Sequence, residues 1–254
     1  MNNKKYLGNI ELIDPIYSSG KINVLQEKNY GFFHVSMEAG ETLNFNLLSN
    51  YNVICLNTGE GGVKLESSCT IYLGPGDSIY SNRNNMIFES LYSGATLLVA
   101  GVKENSCENT SFEVVRVAAP YKVKKPWGQE LWLNVKHPSY AFKEIRINAG
   151  QQTSLQYHEK KEETFLITEG QANLIFHPNR EVCEGSFRDE NLSKQALEPM
   201  QLVHIPPRTL HRLTAKTDIC LYEVSTGDLD DVVRVADDFG RKNGRIDSEH
   251  IQNG

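Results

Sequence analysis

Apolar residues recur along the chain in short alternating or unbroken runs: GFFHVSM, YNVICLN, TIYLG, ATLLVAGV, YAFKEIRI, TFLITEG, ANLIF and DICLYEVS. Alternation puts successive side chains on opposite faces, and unbroken runs this short suit strands buried on both sides, so the pattern predicts β-strands. Gly, Pro, Asn and Asp punctuate the runs roughly every ten residues, which predicts short turns and a sandwich or barrel. Only DDVVRVADDF, near the C-terminus, reads as helical.

The pattern repeats at domain scale. YGFFHVSMEAG from Tyr30 lies over YAFKEIRINAG from Tyr140, an offset of 140 − 30 = 110 that superposes the apolar positions and the turn after them. LGPGDSIYSNRNNMIF from Leu73 lies over LEPMQLVHIPPRTLHR from Leu197 with offset 197 − 73 = 124, because the second copy carries the extra polar stretch HPNREVCEGSFRDENLSKQ. That stretch reads as a long exposed hairpin loop. The repeat predicts one β module over residues 1–118, a second over 119–241, and a polar tail over 242–254.

Composition narrows the class. At 254 residues with 39% hydrophobic and 23% charged residues, the chain has enough apolar material for two cores and is not a disordered or collagen-like sequence. The formal charge of −6 comes without a basic block, which argues against nucleic acid or an anionic membrane surface as partner. MNNKKYLGNIELIDP has no apolar segment behind its lysines, and no window approaches a membrane span, so a cytoplasmic protein is expected. Cys55, Cys69, Cys107, Cys183 and Cys220 are odd in number and scattered, offering neither a disulfide framework nor a thiolate zinc site.

Candidate chemistry concentrates in SLQYHEKKEETF, residues 154–165. On a strand Gln156 and His158 share a face, a turn through EKKE brings in Glu163, and His211 after the Pro-Pro turn of HIPPRTLHR sits where a returning strand could face them. Two imidazoles, a carboxylate and an amide oxygen form a mixed N/O set suited to one divalent metal ion, zinc first, with Mn, Fe, Co or Ni also compatible.

GQQTSLQYHEKKEETFLITEG resembles the first motif of the cupin superfamily, with Gln156 at its first histidine, and IPPRTLH resembles the second, with Arg208 at its glycine. KPWGQE, SLQYH, HIPPRTLHRL, Glu223-Val224 and DDVVRVADDFGR are together similar to the cupin domain of type II mannose-6-phosphate isomerases, over about residues 121–241. The resemblance implies an all-β tandem of double-stranded β-helix (jelly-roll) barrels, a bicupin. It also implies a metal-dependent aldose-ketose isomerase acting on a sugar phosphate or nucleotide sugar in surface polysaccharide precursor synthesis. Its implied ligands are Gln156, His158, Glu163 and His211. Lys143 and Arg212 are candidates for catalysis, and Lys125 and Lys161 for holding the substrate phosphate. Lys161 stands where the family usually carries arginine, and no nucleotidyltransferase signature such as GxGxxRxxP occurs.

In the N-terminal copy the four ligand positions become Asn46, Leu48, Val53 and Ile87, so that module reads as a degenerate cupin without metal. Two rival readings remain: a non-haem iron dioxygenase using His158, Glu163 and His211, and a non-catalytic sugar-binding cupin. His204 reads as a structural histidine, and His34, His137, His177 and His250 as surface residues. Lys160 and Glu162 read as a solvated turn, Trp127 and Trp132 as core or sugar-stacking residues, and Asp237 and Asp238 as caps. Sheet edges left by antiparallel modules are compatible with a homodimer.

Overall fold

The computed structural model describes residues 3–14, 22–27, 29–44, 51–66, 70–81, 87–91, 94–103, 112–116, 121–134, 137–177 and 192–250. Among these the architecture is β throughout apart from one 3-10 turn, Asp247–His250. Among the described residues no helix is long and apolar enough to cross a membrane. The chain divides into two compact units, Tyr17–Pro120 and a second formed by Met1–Ile16 with Tyr121–Gly254. Each is a jelly-roll of two sheets, and the tandem is a bicupin fold.

The strand ladders carry the repeat. Strand Gly31–Met37 pairs with Ala95–Lys103 and strand Tyr140–Ile147 with Ile219–Thr226. Met37 faces Ala95 where Ile147 faces Ile219, so the two members shift by 147 − 37 = 110 and 219 − 95 = 124. Gly40 and Gly150 close the matching turns with φ of 75° and 77°. Phe33, Val53, Leu65, Phe88 and Val99 form the N-terminal core, and Ile145, Phe165, Leu174, Val203 and Leu221 belong to the C-terminal one. Burying such side chains stabilises each barrel by about 1.5–3 kcal/mol per residue.

In the C-terminal unit an eight-stranded sheet faces a five-stranded one, and both supply the site. Three features differ from the sequence reading. The hairpin Asn3–Leu7/Ile10–Asp14 does not stay with residues 17–118; it extends the eight-stranded sheet, pairing Leu12 with Val203. Its alternation predicts a strand but not which edge receives it. DDVVRVADDF is not helical: Val232–Ala236 is a strand beside Leu155–His158, as three β-branched valines favour. The tail does not stand apart, because Asp247–His250 packs on Tyr121–Lys125 through Lys125–Glu249 at 2.8 Å and Tyr121–His250 at 3.1 Å. Residues 178–191 of the inserted loop, and Asn46 and Leu48, lie outside the described residues.

Candidate metal centre and its cavity

Each proposed ligand is delivered by a short stretch with a clear local cause. Strand Leu155–His158 alternates, so Leu155 and Tyr157 pack with Leu210 while Gln156 and His158 line a cavity of about 320 Å³. The turn after His158 is fastened by Asp231, whose Oδ2 accepts the backbone N–H of Lys160 at 2.7 Å and of Lys161 at 3.0 Å. This starts the next strand at Glu163 with its side chain inward. Arg208 holds a left-handed φ of 61° at the position where the motif has glycine, and its N–H donates to the His158 carbonyl at 2.6 Å. His211 then opens strand His211–Ala215, opposite Gln156.

His158, Glu163 and His211 converge so that one ligand atom from each lies within 4.8 Å of the others, all three buried. The tautomers follow from their partners. Carboxylate and carbonyl groups only accept, so His158 Nδ1 donates to Asp231 Oδ1 at 2.9 Å and His211 Nδ1 donates to the Thr209 carbonyl at 2.9 Å. In the neutral rings both Nε2 lone pairs are then left for the centre. His158 Nε2 is buried without a hydrogen-bond partner among the described residues. His211 Nε2 lies 2.8 Å from Glu163 Oε1. Two imidazole nitrogens converging with a carboxylate form a donor set that fits a divalent metal ion, whose place a proton on His211 Nε2 can take in the metal-free site.

Charge around the centre is balanced by burial and pairing. Burial by itself raises the Glu163 pKa, yet Lys161, then His211 and His158, hold it well below the usual carboxylate range. Burial lowers the His158 pKa, and Lys161 lowers it further against the pull of Asp231 and Glu163. Burial also opposes the ionised form of Asp231, but the His158 bond and the two backbone N–H groups pull its carboxyl down to about 2.

The remaining sequence candidates separate. Gln156 lines the cavity, and its Oε1 accepts from Ser154 Oγ at 2.5 Å. Lys161 is buried between Glu163 Oε2 at 2.5 Å and Glu223 Oε1 at 2.9 Å, so its ammonium is committed to two carboxylates. Lys125 lies between Glu249 and Glu130, and Lys143 stands 4.4 Å from the Trp132 ring centre; both line the cavity. Arg212 does not belong to the site. Alternation sends it away from its neighbour His211, and it bonds Asp238 and the Ala236 carbonyl at 3.2 Å each.

His204 is structural as read, buried against Thr164 Oγ1 at 2.9 Å. Glu162 is buried, not solvated, while Trp127 belongs to the core and, with Trp132, lines the cavity. Asp237 caps the backbone N–H groups of Phe239 and Arg241. His34 and His177 are buried, not on the surface, and His250 lines the cavity in contact with Tyr121 and Trp132. Sequence reasoning read Glu130, Asp231 and Glu223 only as members of the motifs KPWGQE, DDVVRVADDFGR and Glu223-Val224 and gave none of them a role. A signal existed for Glu223, a lone charge inside the apolar run DICLYEVS.

No protein-family model and no curated protein sequence matches the chain. Solved structures do. The oxalate decarboxylase of Lactobacillus farciminis has a TM-score of 0.64 at 9% identity, over 92% of this chain and 89% of that one. Procruciferin, the 11S globulin of Brassica napus, has a TM-score of 0.62 at 11% identity, over 90% and 87%. Bacillus subtilis oxalate decarboxylase, which carries Mn(II) centres, has a TM-score of 0.60 at 10% identity, over 92% and 77%. These neighbours share the cupin fold. A decarboxylase and a globulin on one fold leave function to the site.

Proposed function

We propose that the C-terminal module binds one divalent metal ion through His158, Glu163 and His211, with Gln156 beside them, and isomerises an aldose-ketose sugar phosphate. Surface polysaccharide precursor synthesis is the setting its motif resemblance suggests. The observation that carries the reading is the buried convergence of two imidazole lone pairs and a carboxylate in a cavity that also holds the lysines Lys125 and Lys143. The cavity's volume of about 320 Å³ suits a small metabolite.

Zinc is the first expectation, with Mn, Fe, Co or Ni compatible, manganese being supported by the Mn(II) neighbour. When bound, the ion would polarise the substrate's C1 and C2 oxygens and lower the cost of an enediolate. The chain's own residues do the rest. Asp231 and Thr209 fix the two imidazoles, and Lys161 holds one Glu163 oxygen so that the other is presented to the centre. Lys143 and Lys125 put positive charge in the cavity wall, which favours an anionic substrate.

The test is metal analysis of the wild type and His211→Ala, followed by deuterium exchange at C2 across hexose and pentose phosphates without oxygen. Metal in the wild type alone, with exchange of one substrate, is the expected result. Equal metal in both proteins removes the site.

A second reading is favoured by one observation. With Gln156 held by Ser154, the three remaining ligands form a two-histidine, one-carboxylate set such as non-haem iron dioxygenases use. Oxygen consumption by the iron-loaded protein would select it. A sugar phosphate that binds without C2 exchange would select a non-catalytic sugar-binding cupin.

A further inference from the structure

Across the eight-stranded sheet one row of side chains reads Trp132, Lys143, Glu223, Phe165 and Val203, each opposite the next in register. In the N-terminal unit the matching row reads Phe33, Val99, Cys55 and Ile79. The offsets are the same, 143 − 33 = 110 and 223 − 99 = 124, and all four residues belong to the apolar core. The fold therefore closes this row without charge. Where the first barrel has Phe33 and Val99, the second buries Lys143 and Glu223, at 7% and 8% exposure. Exchanging a close-packed apolar pair for two desolvated ions is not a stabilising choice in itself, and it calls for another cause.

Carboxylate geometry singles out Glu223. Glu130 has one oxygen on Lys125 and the other on Trp132 Nε1, and Glu249 has one on Lys125 and the other on Arg241. Glu223 places Oε1 2.9 Å from Lys161 and 3.6 Å from Lys143, while Oε2 has no hydrogen-bond partner among the described residues. Lys161 joins Glu223 directly to Glu163, so a substrate at the ligand cluster would lie within reach of it.

We propose that Glu223 is the catalytic base of the isomerisation, with Lys143 as its acid partner. The assignment rests on the isomerase reading. For an aldose, Glu223 Oε2 takes the C2 proton, the C2–H electrons form the C1–C2 double bond, and the carbonyl pair moves onto O1. Lys143 gives a proton to O1 and regains one from O2. The O2 electrons then form the C2 carbonyl while the double-bond pair takes the Glu223 proton at C1. The enzyme groups return to their starting state, and neither oxidant nor reductant is needed.

The test compares the metal-loaded wild type, Glu223→Gln and Glu223→Asp, with mannose 6-phosphate as the first probe of a hexose and pentose phosphate panel. Glu223→Gln is expected to keep the wild-type metal content and to bind the substrate within about threefold, but to exchange its C2 proton at least ~10²-fold more slowly. Glu223→Asp keeps the charge between the lysines and displaces the carboxylate. It is expected to lose about tenfold or more in kcat at unchanged KM, and it decides the matter if Glu223→Gln does not fold. Exchange by either variant at the wild-type rate overturns the base assignment and leaves the isomerase reading standing. A wild type that exchanges no sugar phosphate overturns both.

Discussion

His158 shows how much a single residue's role depends on its partners. Its ring is an acceptor toward the centre only because Asp231, 231 − 158 = 73 positions later, accepts the hydrogen bond from Nδ1–H and so fixes the proton there. Asp231 also ties down the turn that leads to Glu163. Replacing it by Asn keeps the shape and removes the charge, so Asp231→Asn is expected to weaken zinc or cobalt binding by about 10–100-fold with little loss of fold, measured by calorimetric titration. An unchanged affinity would show that the ring is oriented without it. The convergence of His158, Glu163 and His211 was legible, since motif spacing and strand alternation bring the three together. Arg212 was misplaced although the same alternation, applied one residue past His211, sends it outward. The role of Asp231 was not legible, because nothing in the sequence pairs the strand that follows it, Val232–Ala236, with Leu155–His158.

Strands and turns carry the next level. The two glycines that bracket the first motif do different work, Gly150 at φ 77° and Gly170 at φ 79°. A Cβ at Gly150 would meet nothing within 4 Å, whereas at Gly170 it would lie 2.1 Å from the Asp218 carbonyl oxygen. Gly150→Ala should therefore cost only the left-handed backbone penalty, about 1–2 kcal/mol, by urea denaturation. Gly170→Ala should cost clearly more, since backbone must shift. Equal losses would refute the steric distinction. Turn glycines of this kind are visible in sequence, but the non-glycine left-handed positions Met200 and Arg208 are not. Met200 occupies the place that Gly76 takes in the first module, 200 − 76 = 124, at φ 67° against 80°. The strand Val232–Ala236 was misread as helix because spaced valines within a polar frame satisfy both periods, and only an open sheet edge beside Leu155–His158 decides between them.

For the whole molecule, the two barrels offer one backbone with two interiors. Glu163 and Asp231 have depressed pKa values, and Glu130 is also lowered, against its burial, by Lys143 and Lys125. Carboxylates depressed in the folded state contribute stability that is complete above their unfolded value near ~4 and is lost as pH falls toward the folded values. His158 acts in the same direction, because its burial favours the neutral ring and folding weakens as pH drops below about 6.5. His34, buried and also lowered, gives the N-terminal unit a milder form of this dependence. On acidification of metal-free protein, hydrogen-exchange protection should fall first in Tyr140–Ile147, Glu163–Glu169 and Ile219–Thr226. The matching strands Gly31–Met37, Tyr51–Asn57 and Ala95–Lys103, with Phe33, Val53 and Val99 inside, should hold longer. Simultaneous loss would mean that the charge cluster does not govern acid stability.

The sequence by itself determined most of the strands and the repeat with its two offsets, which rest on local period that the backbone obeys everywhere, while its motif resemblance implied the jelly-roll class and the convergence of His158, Glu163 and His211. Tertiary structure alone decided which sheet edge takes the N-terminal hairpin, that the tail's Glu249 and His250 wall the cavity, and that Asp231 and Glu223 join the site. Those contacts connect residues 62 to 191 positions apart, from Lys161–Glu223 to Leu12–Val203. Only closure of the barrel sets which of many equally polar side chains become neighbours there.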